Sequence, residues 1–279
     1  MIRATLQDQP AIEAFLKQHI ATSMFPLANL RRYGMSGGHP RAMQFWVRWE
    51  NGKITDLLPL SEEGGLFPQC PNRPWGQVKT VLAGATVKGM LGDAGQIAKL
   101  REVLRLPPQA GLDQEEPLYQ LALADLRMPD CDGFSLRPLA DAPRDLINAW
   151  RCAYLQEGLA IPGEDPVQKA KDDVENYLTA DSHRVLYQAD TPVAMTGFNA
   201  VLPEAVQIGG VYTPPADRSR GFAQRAVAMH LAEARYNGAE HAILFAASPQ
   251  ASKAYEAIGF THIGAFTILF FEEPQVIYG

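Results

Sequence analysis

Past position 133 the apolar residues change rhythm element by element, and the changes predict an ordered series of strands and helices. Residues 134–139 read as a strand, and residues 143–159 as a helix, with Leu146, Ile147, Trp150, Ala153 and Tyr154 returning at helical spacing. Gly163 marks a turn. Asp165-Pro166-Val167-Gln168 then reads as an N-cap, a first-position proline and a capping-box glutamine, opening a helix with Val167, Val174 and Leu178 on one face. Residues 183–188 and 192–201 alternate as two strands around an Asp190-Thr191 turn. A strand through Val211, a helix closing at Asn237-Gly238, a strand over 241–247, a short helix and a closing pair of strands over 261–272 complete the order β-α-α-β-β-β-α-β-α-β-β.

The first half repeats this order more faintly. Ala4-Thr5-x-x-Asp8 leads into a helix through Leu16, residues 44–49 and 53–60 pair about an Asn51-Gly52 hairpin turn, and residues 87–91 precede a helix over 94–104. Residues 118–126 alternate like a last strand. The stretch from Leu106 to Gly133 is punctuated by Pro, Gly and acids, which places a boundary near Asp130 to Gly133 and predicts two domains, 1–130 and 134–279.

The run QIGGVYTPPADRSRGFA, from Gln207 to Ala223, carries the chemistry. Ile208, Val211 and Tyr212 are strand formers, Gly209-Gly210 invites a close backbone approach, and Pro214-Pro215 ends the strand. Arg218-Ser219-Arg220-Gly221-Phe222-Ala223 follows and opens a helix. Uncommitted N–H groups at a helix start, small residues and the charges of Arg218, Arg220 and Arg225 together suit a pyrophosphate. Further on, Ser248 reads as an N-cap, Pro249 as a first helical residue, and Gly259 as the left-handed residue that ends a short helix carrying Tyr255.

At these residues the chain resembles the GNAT superfamily of acyl-CoA-dependent N-acyltransferases. Arg218, Gly221 and Ala223 fill that family's Gln/Arg-x-x-Gly-x-Gly/Ala signature. Ser248 to Phe260 is similar to its Asn-x-x-Ala-x-x-x-Tyr-x-x-x-Gly-Phe segment, with Ser248 in place of Asn. The resemblance covers residues 134–273 and implies an α/β (α+β) protein of tandem GNAT-like domains. Each would be a mixed, mostly antiparallel twisted sheet flanked by helices, the C-terminal one intact and the N-terminal one degenerate and noncatalytic. It implies acetyl-CoA as co-substrate, no metal, and an acyl group passed directly to an amine of a small molecule or peptide.

The resemblance further implies that Val211, Tyr212, Thr213, Arg218, Ser219, Arg220, Gly221, Phe222, Ala223, Ser248 and Ser252 hold the cofactor. Tyr255 would protonate the leaving thiolate, since a tyrosine hydroxyl, ordinarily of pKa about 10, outlasts a thiol of about 8.5. Packing against Phe260 is the competing reading of Tyr255. Many relatives place a glutamate base where this chain has Gln207, which leaves the base to another carboxylate, with Glu157 the candidate, to a water chain, or to none. A CoA-binding or partner-binding module without turnover is the alternative function.

Composition narrows the rest. The 279 residues are 47% hydrophobic and 20% charged. Of 25 basic and 31 acidic residues, 14 of each precede residue 134, so the net charge of −6 belongs to the second half. That balance opposes nucleic-acid binding. Six acids against two lysines between Glu157 and Glu175 suggest a cationic acceptor. Cys70, Cys131 and Cys152 lack metal or disulfide spacing and read as free thiols, with Cys152 a remote candidate nucleophile. No apolar run approaches membrane length and no signal peptide opens the chain, so a cytoplasmic protein is expected, with a homodimer among its assemblies. Gly89, Gly92 and Gly95 loosely echo a dinucleotide fingerprint and leave a dehydrogenase as a third class.

Overall fold

In the computed structural model, which describes residues 1–158 and 164–279, the chain divides into two compact units, Met1–Glu116 with Gly264–Gly279, and Pro117–Ile263. In chain order the elements are β1 (Ile2–Arg3), α1 (Gln9–Gln18), α2 (Ile20–Tyr33), β2 (Met43–Glu50), β3 (Lys53–Ser61), β4 (Gly65–Leu66), α3 (Trp75–Val81), β5 (Thr86–Asp93), α4 (Ala94–Leu104) and β6 (Leu112–Ala122). There follow β7 (Phe134–Pro138), α5 (Arg144–Gly158), α6 (Pro166–Ala180), β8 (His183–Gln188), β9 (Thr191–Val201), β10 (Ala205–Tyr212), α7 (Phe222–Tyr236), β11 (His241–Phe245), α8 (Pro249–Ala257) and β12 (Thr261–Val276). The predicted turn at Gly163 and helix end at Leu159 lie outside the described residues. Among the described residues no helix is long and apolar enough to cross a membrane.

One plan is used twice. The first unit orders its strands β1-β2-β3-β4-β5-β12, antiparallel except for β4 beside β5. The second orders them β7-β8-β9-β10-β11-β6, antiparallel except for β10 beside β11. Each reads strand, two helices, three strands, helix, strand, helix. In each, the strand that completes the order comes from the far side of the boundary predicted from the sequence.

That exchange is where the structure departs from the sequence reading. The units break between Glu116 and Pro117, not near Asp130 to Gly133, and Gly264–Gly279 falls with the first unit. Ladders decide the matter: Leu118–Ala122 pair with β11, and Phe266–Val276 pair with β5. The expected closing pair of strands is the single strand β12, whose register on β5 jumps between Phe270 and Gln275. Pro274 lies within the jump and has no N–H to give a ladder. The helix α2 was not foreseen, and Pro26 inside it masks the helical signal. The Asn51-Gly52 hairpin forms as read, with φ of +50° and +73° at the two turn residues.

The second unit packs both faces of its sheet. On one, Phe198, Ile208, Val227, Leu231, Leu244 and Ile258 join the cluster around α7 and α8. On the other, α5 and α6 bury Ile147, Trp150 and Val174 against Val185, Tyr187, Met195 and Tyr212. Asp165 caps α6 through the Val167 N–H at 3.1 Å, but Gln168 reaches forward to Asp172 at 2.8 Å, so no capping box closes. Val167, expected on the apolar face, is half exposed.

A buried titratable group in this core sets an acid limit on stability. His230 of α7 stacks on Phe198 with ring centroids 3.8 Å apart, and burial, then the charge of Arg184, pushes its pKa down to about 3. The unfolded chain, ordinarily near 6.5, therefore binds a proton that the folded chain refuses. Stability from this group is present above pH 6.5 and is lost as pH falls toward 3. Urea unfolding of the wild type should lose about 2 kcal/mol from His230 between pH 7 and pH 5, and a His230→Gln variant should lose that much less over the same interval.

Candidate functional site

The parallel ladder between β10 and β11 matches Ala205 with His241, Val206 with Ala242 and Gln207 with Ile243, and stops there although both strands continue. The two strands run parallel and part after three matched pairs. Against β9, Gly209 is matched with Gly197 and Tyr212 with Met195, so three steps of β10 span two of β9. Gly210 lies inside this bulge at φ +63°, a left-handed conformation that favours glycine. A bulge turns backbone groups out of the ladder. Val211, Tyr212 and Thr213 emerge at its far end, and the buried Thr213 Oγ1 and Gln207 Oε1 have no protein partner. Gln207 Nε2–H donates to the Ile208 carbonyl at 2.6 Å, so this side chain is an amide committed to backbone.

The strand leads into the basic turn. Gly221, at φ +76°, caps α7 with no side-chain cap, and Phe222 is buried behind it while Ala223 is half-buried. By contrast Asp93, Asp165 and Ser248 each place an oxygen on the start of their helices. Ser219 is exposed and also left-handed, at φ +63°. The arginines of the turn hold protein groups. Arg218 Nε–H donates to the Thr213 carbonyl at 3.0 Å, and its guanidinium pairs with Glu157 Oε2 at 2.5 Å. Arg220 pairs with Asp217 at 2.7 Å, and Arg225 donates to the Asp130 carbonyl at 2.7 Å. Tyr212 is hydrogen-bonded to Glu157, and burial, then that carboxylate, raises its pKa. Glu157 thus sits beside Arg218 and Tyr212 at the end of β10.

The α8 segment forms as its residues predict. Ser248 Oγ accepts the Ala251 N–H at 3.2 Å, Pro249 opens the helix, and Ser252 follows one turn on, half-buried. Gly259 stands at φ +109°, and a Cβ there would lie 2.9 Å from the Asp125 carbonyl oxygen, so both conformation and space require glycine. Tyr255 is buried, edge-on to Phe260 with centroids 6.0 Å apart.

The acidic stretch is largely taken up by structure. Asp173 pairs with the buried Arg151 at 2.6 Å and with Lys169 at 2.5 Å, Glu175 pairs with Arg144, and Asp165 caps a helix. Burial pushes the Cys70 thiol up to about 12, which removes it as a nucleophile. The glycines of the dinucleotide echo serve packing: a Cβ on Gly89 would meet the Phe270 ring at 2.6 Å, and Asp93 covers the helix start with negative charge. In the first unit the strand matching β10 has two residues, and the turn before α3 gives its Asn72 N–H to Asp56 at 2.8 Å. No basic, glycine-bearing turn precedes α3.

Solved structures repeat this architecture. An acetyltransferase of the GNAT family from Colwellia psychrerythraea aligns over 96% of this chain and 97% of its own, at 14% identity and a TM-score of 0.52. A GCN5-related N-acetyltransferase from Sphaerobacter thermophilus aligns over 100% and 95%, at 12% identity and a TM-score of 0.58. A tandem GNAT protein from the clavulanic acid biosynthesis pathway aligns over 96% of both chains, at 11% identity and a TM-score of 0.54. No protein-family model and no curated protein matches the sequence. At these identities the likeness is one of fold. The chain has the GNAT fold in its tandem form, each unit with mixed and mostly antiparallel strands flanked by helices.

Sequence reasoning passed over His183, whose imidazole lies across Gly197 with the place of a Cβ only 2.1 Å from the ring. Its signal was there in Gly197, Gly209 and Gly210 on neighbouring strands. A Gly197→Ala change should destabilise the protein by about 1 to 3 kcal/mol through overpacking. Adding His183→Ala should recover most of that loss, and a double-mutant cycle by urea unfolding measures the coupling.

Proposed function

We propose that this chain is an N-acyltransferase that passes an acetyl group from acetyl-CoA to an amine by direct attack. The observation that carries this is the end of the β10–β11 ladder at Gln207 and Ile243, beside a glycine bulge and a helix start without a side-chain cap. The co-substrate supplies an activated thioester. Backbone groups of Val211 to Thr213 pair with its pantetheine arm as an added strand, and the Val211 N–H polarises the acyl carbonyl. The turn from Arg218 to Ala223 and the N-terminus of α7 hold the phosphates, with Ser248 and Ser252 lining the parted strands.

The ion pairs of the turn are compatible with that role. Arg218 and Glu157 are each nearly half exposed, and such pairs contribute about 0 to 1 kcal/mol. A pyrophosphate offers more charge and displaces the carboxylate. Glu157 then stands uncovered at the end of β10. Tyr255 gives its proton to the departing thiolate.

A second reading has one observation in its favour. Gln207 places a bound amide where a base would stand, as in a binding module that does not turn over. Acetyl-CoA would then raise the melting temperature while no amine in a panel releases free thiol.

Two variants test the catalytic reading. Gly221→Val puts a β-branched residue at φ +76°, so calorimetric titration should show CoA affinity falling at least tenfold in a protein that stays folded. Unchanged affinity moves the phosphates away from this turn. Tyr255→Phe should keep CoA affinity and lower kcat by about 10² to 10⁴ in a thiol-release assay. A variant as fast as wild type assigns Tyr255 to packing.

A further inference from the structure

Resting on the acyltransferase reading, we propose that His183 is the catalytic base: its Nε2 takes the proton of the acceptor amine at the Gly209–Gly210 bulge, and Ser182 passes that proton to solvent. The geometry comes from one row of residues across three strands. His183 on β8 is matched with Gly197 on β9, and Gly197 with Gly209 on β10. With no side chain on Gly197, the imidazole lies flat across β9, and its far end reaches β10. A Cβ on Gly210 would stand 2.7 Å from Nε2. Two glycines on two strands let a histidine on the third address the bulge.

The ring is held at its other edge and on its face. Tyr177 of α6 stacks on it with centroids 3.5 Å apart and planes 15° apart, and Nδ1 lies 2.9 Å from Ser182 Oγ. With Nδ1–H donating to Ser182, Nε2 keeps its lone pair toward Gly210. That atom is buried and has no partner in the protein. A buried acceptor left unmade costs about 1 to 3 kcal/mol, so its retention points to a ligand that uses it. On the other flank of the bulge the exposed Asn199 side chain lies over Gly209, where a Cβ would stand 1.9 Å away. On this reading the amine enters past the exposed Asn199 to reach the buried proton acceptor of His183.

The charges around the ring suit a group that passes a proton on. Burial first, then His230 of α7, Arg151 of α5 and Arg184 of β8, hold the His183 pKa well below 6.5. Arg151 is paired with Asp173, and Arg184 with Asp181 and Glu233. Tyr177 stays protonated because burial raises its pKa. His183 is thus neutral at physiological pH and ready to accept.

The balance closes with one proton released per transfer. An ammonium N–H breaks, its proton goes to Nε2, the Nδ1 proton goes to Ser182 Oγ, and the serine proton goes to water. After the product leaves, the Nε2 proton passes to entering water and Ser182 returns a water proton to Nδ1, which restores the ring. The freed nitrogen lone pair forms the N–C bond while the thioester C–S bond breaks with its electron pair on sulfur. Tyr255 protonates that sulfur and regains a proton from the new amide nitrogen.

The test is His183→Gln, which keeps an acceptor but cannot carry a proton, assayed with the fastest amine of the panel. CoA affinity by calorimetry should stay within about threefold, kcat should fall by about 10² to 10⁴, and the residual rate should rise tenfold per pH unit where wild type is flat. Independently of turnover, the ¹⁵N signal of His183 Nε2 in wild type should shift when the amine is titrated in the presence of desulfo-CoA, which cannot react. An active wild type whose His183→Gln variant matches it in kcat and pH profile overturns the assignment to His183 and leaves acyl transfer standing. A wild type that binds CoA yet acylates no amine overturns the acyltransferase reading and this one with it. Should His183→Gln fail to fold, Ser182→Ala leaves the ring in place and should lower kcat about tenfold by closing the exit, whereas an unchanged kcat overturns the route.

Discussion

Everything at the candidate site depends on a ladder that stops early. Two parallel strands that keep pairing bury their edges in one another and leave nothing for a ligand. Here β10 and β11 share three matched pairs and then part, because the bulge at Gly209–Gly210 bends β10 away. The bulge needs glycine for its left-handed φ and for the side chains that lie over it. From that one irregularity follow the exposed edge of Val211–Thr213, the line of the chain into the basic turn, and the approach of His183 to the strand.

The duplicated plan shows one fold with two different strand ends and turns. Both units carry the same strand order and the same single parallel pair. In the first, the strand beside the parallel partner is two residues long, and the following turn is spent on Asp56 and a seven-residue helix. Burial of Leu58, Met90, Leu100 and Leu269 maintains that unit without any cradle. Fold and site answer to different forces. The core asks only for apolar residues at the right period, whereas the cradle asks for particular backbone conformations.

The charges of the second unit show the same economy. Of the acids that look from their numbers like a field for a cation, Glu157, Asp173 and Glu175 are ion-paired, most firmly Asp173 with the buried Arg151. Removing one partner of such a buried pair costs about 3 to 5 kcal/mol, because the other charge is left without compensation. The Arg218–Glu157 pair is different in kind. It is exposed and contributes little.

What the sequence alone determined is local: the Ser248 and Asp165 caps, the Asn51-Gly52 turn, the left-handed Gly259, and the order of strands and helices from β7 to α8. These are set by conformational preferences within a few residues, which no distant partner has to supply. The tertiary structure decided which sheet receives β6 and β12, since an alternating apolar strand satisfies any ladder with the right face. It also decided that Glu157 meets Arg218 across 61 residues, and that His183 lies over Gly197 and beside Gly210. Such meetings depend on register, and register depends on the pairing of whole strands, which no single stretch of the chain contains.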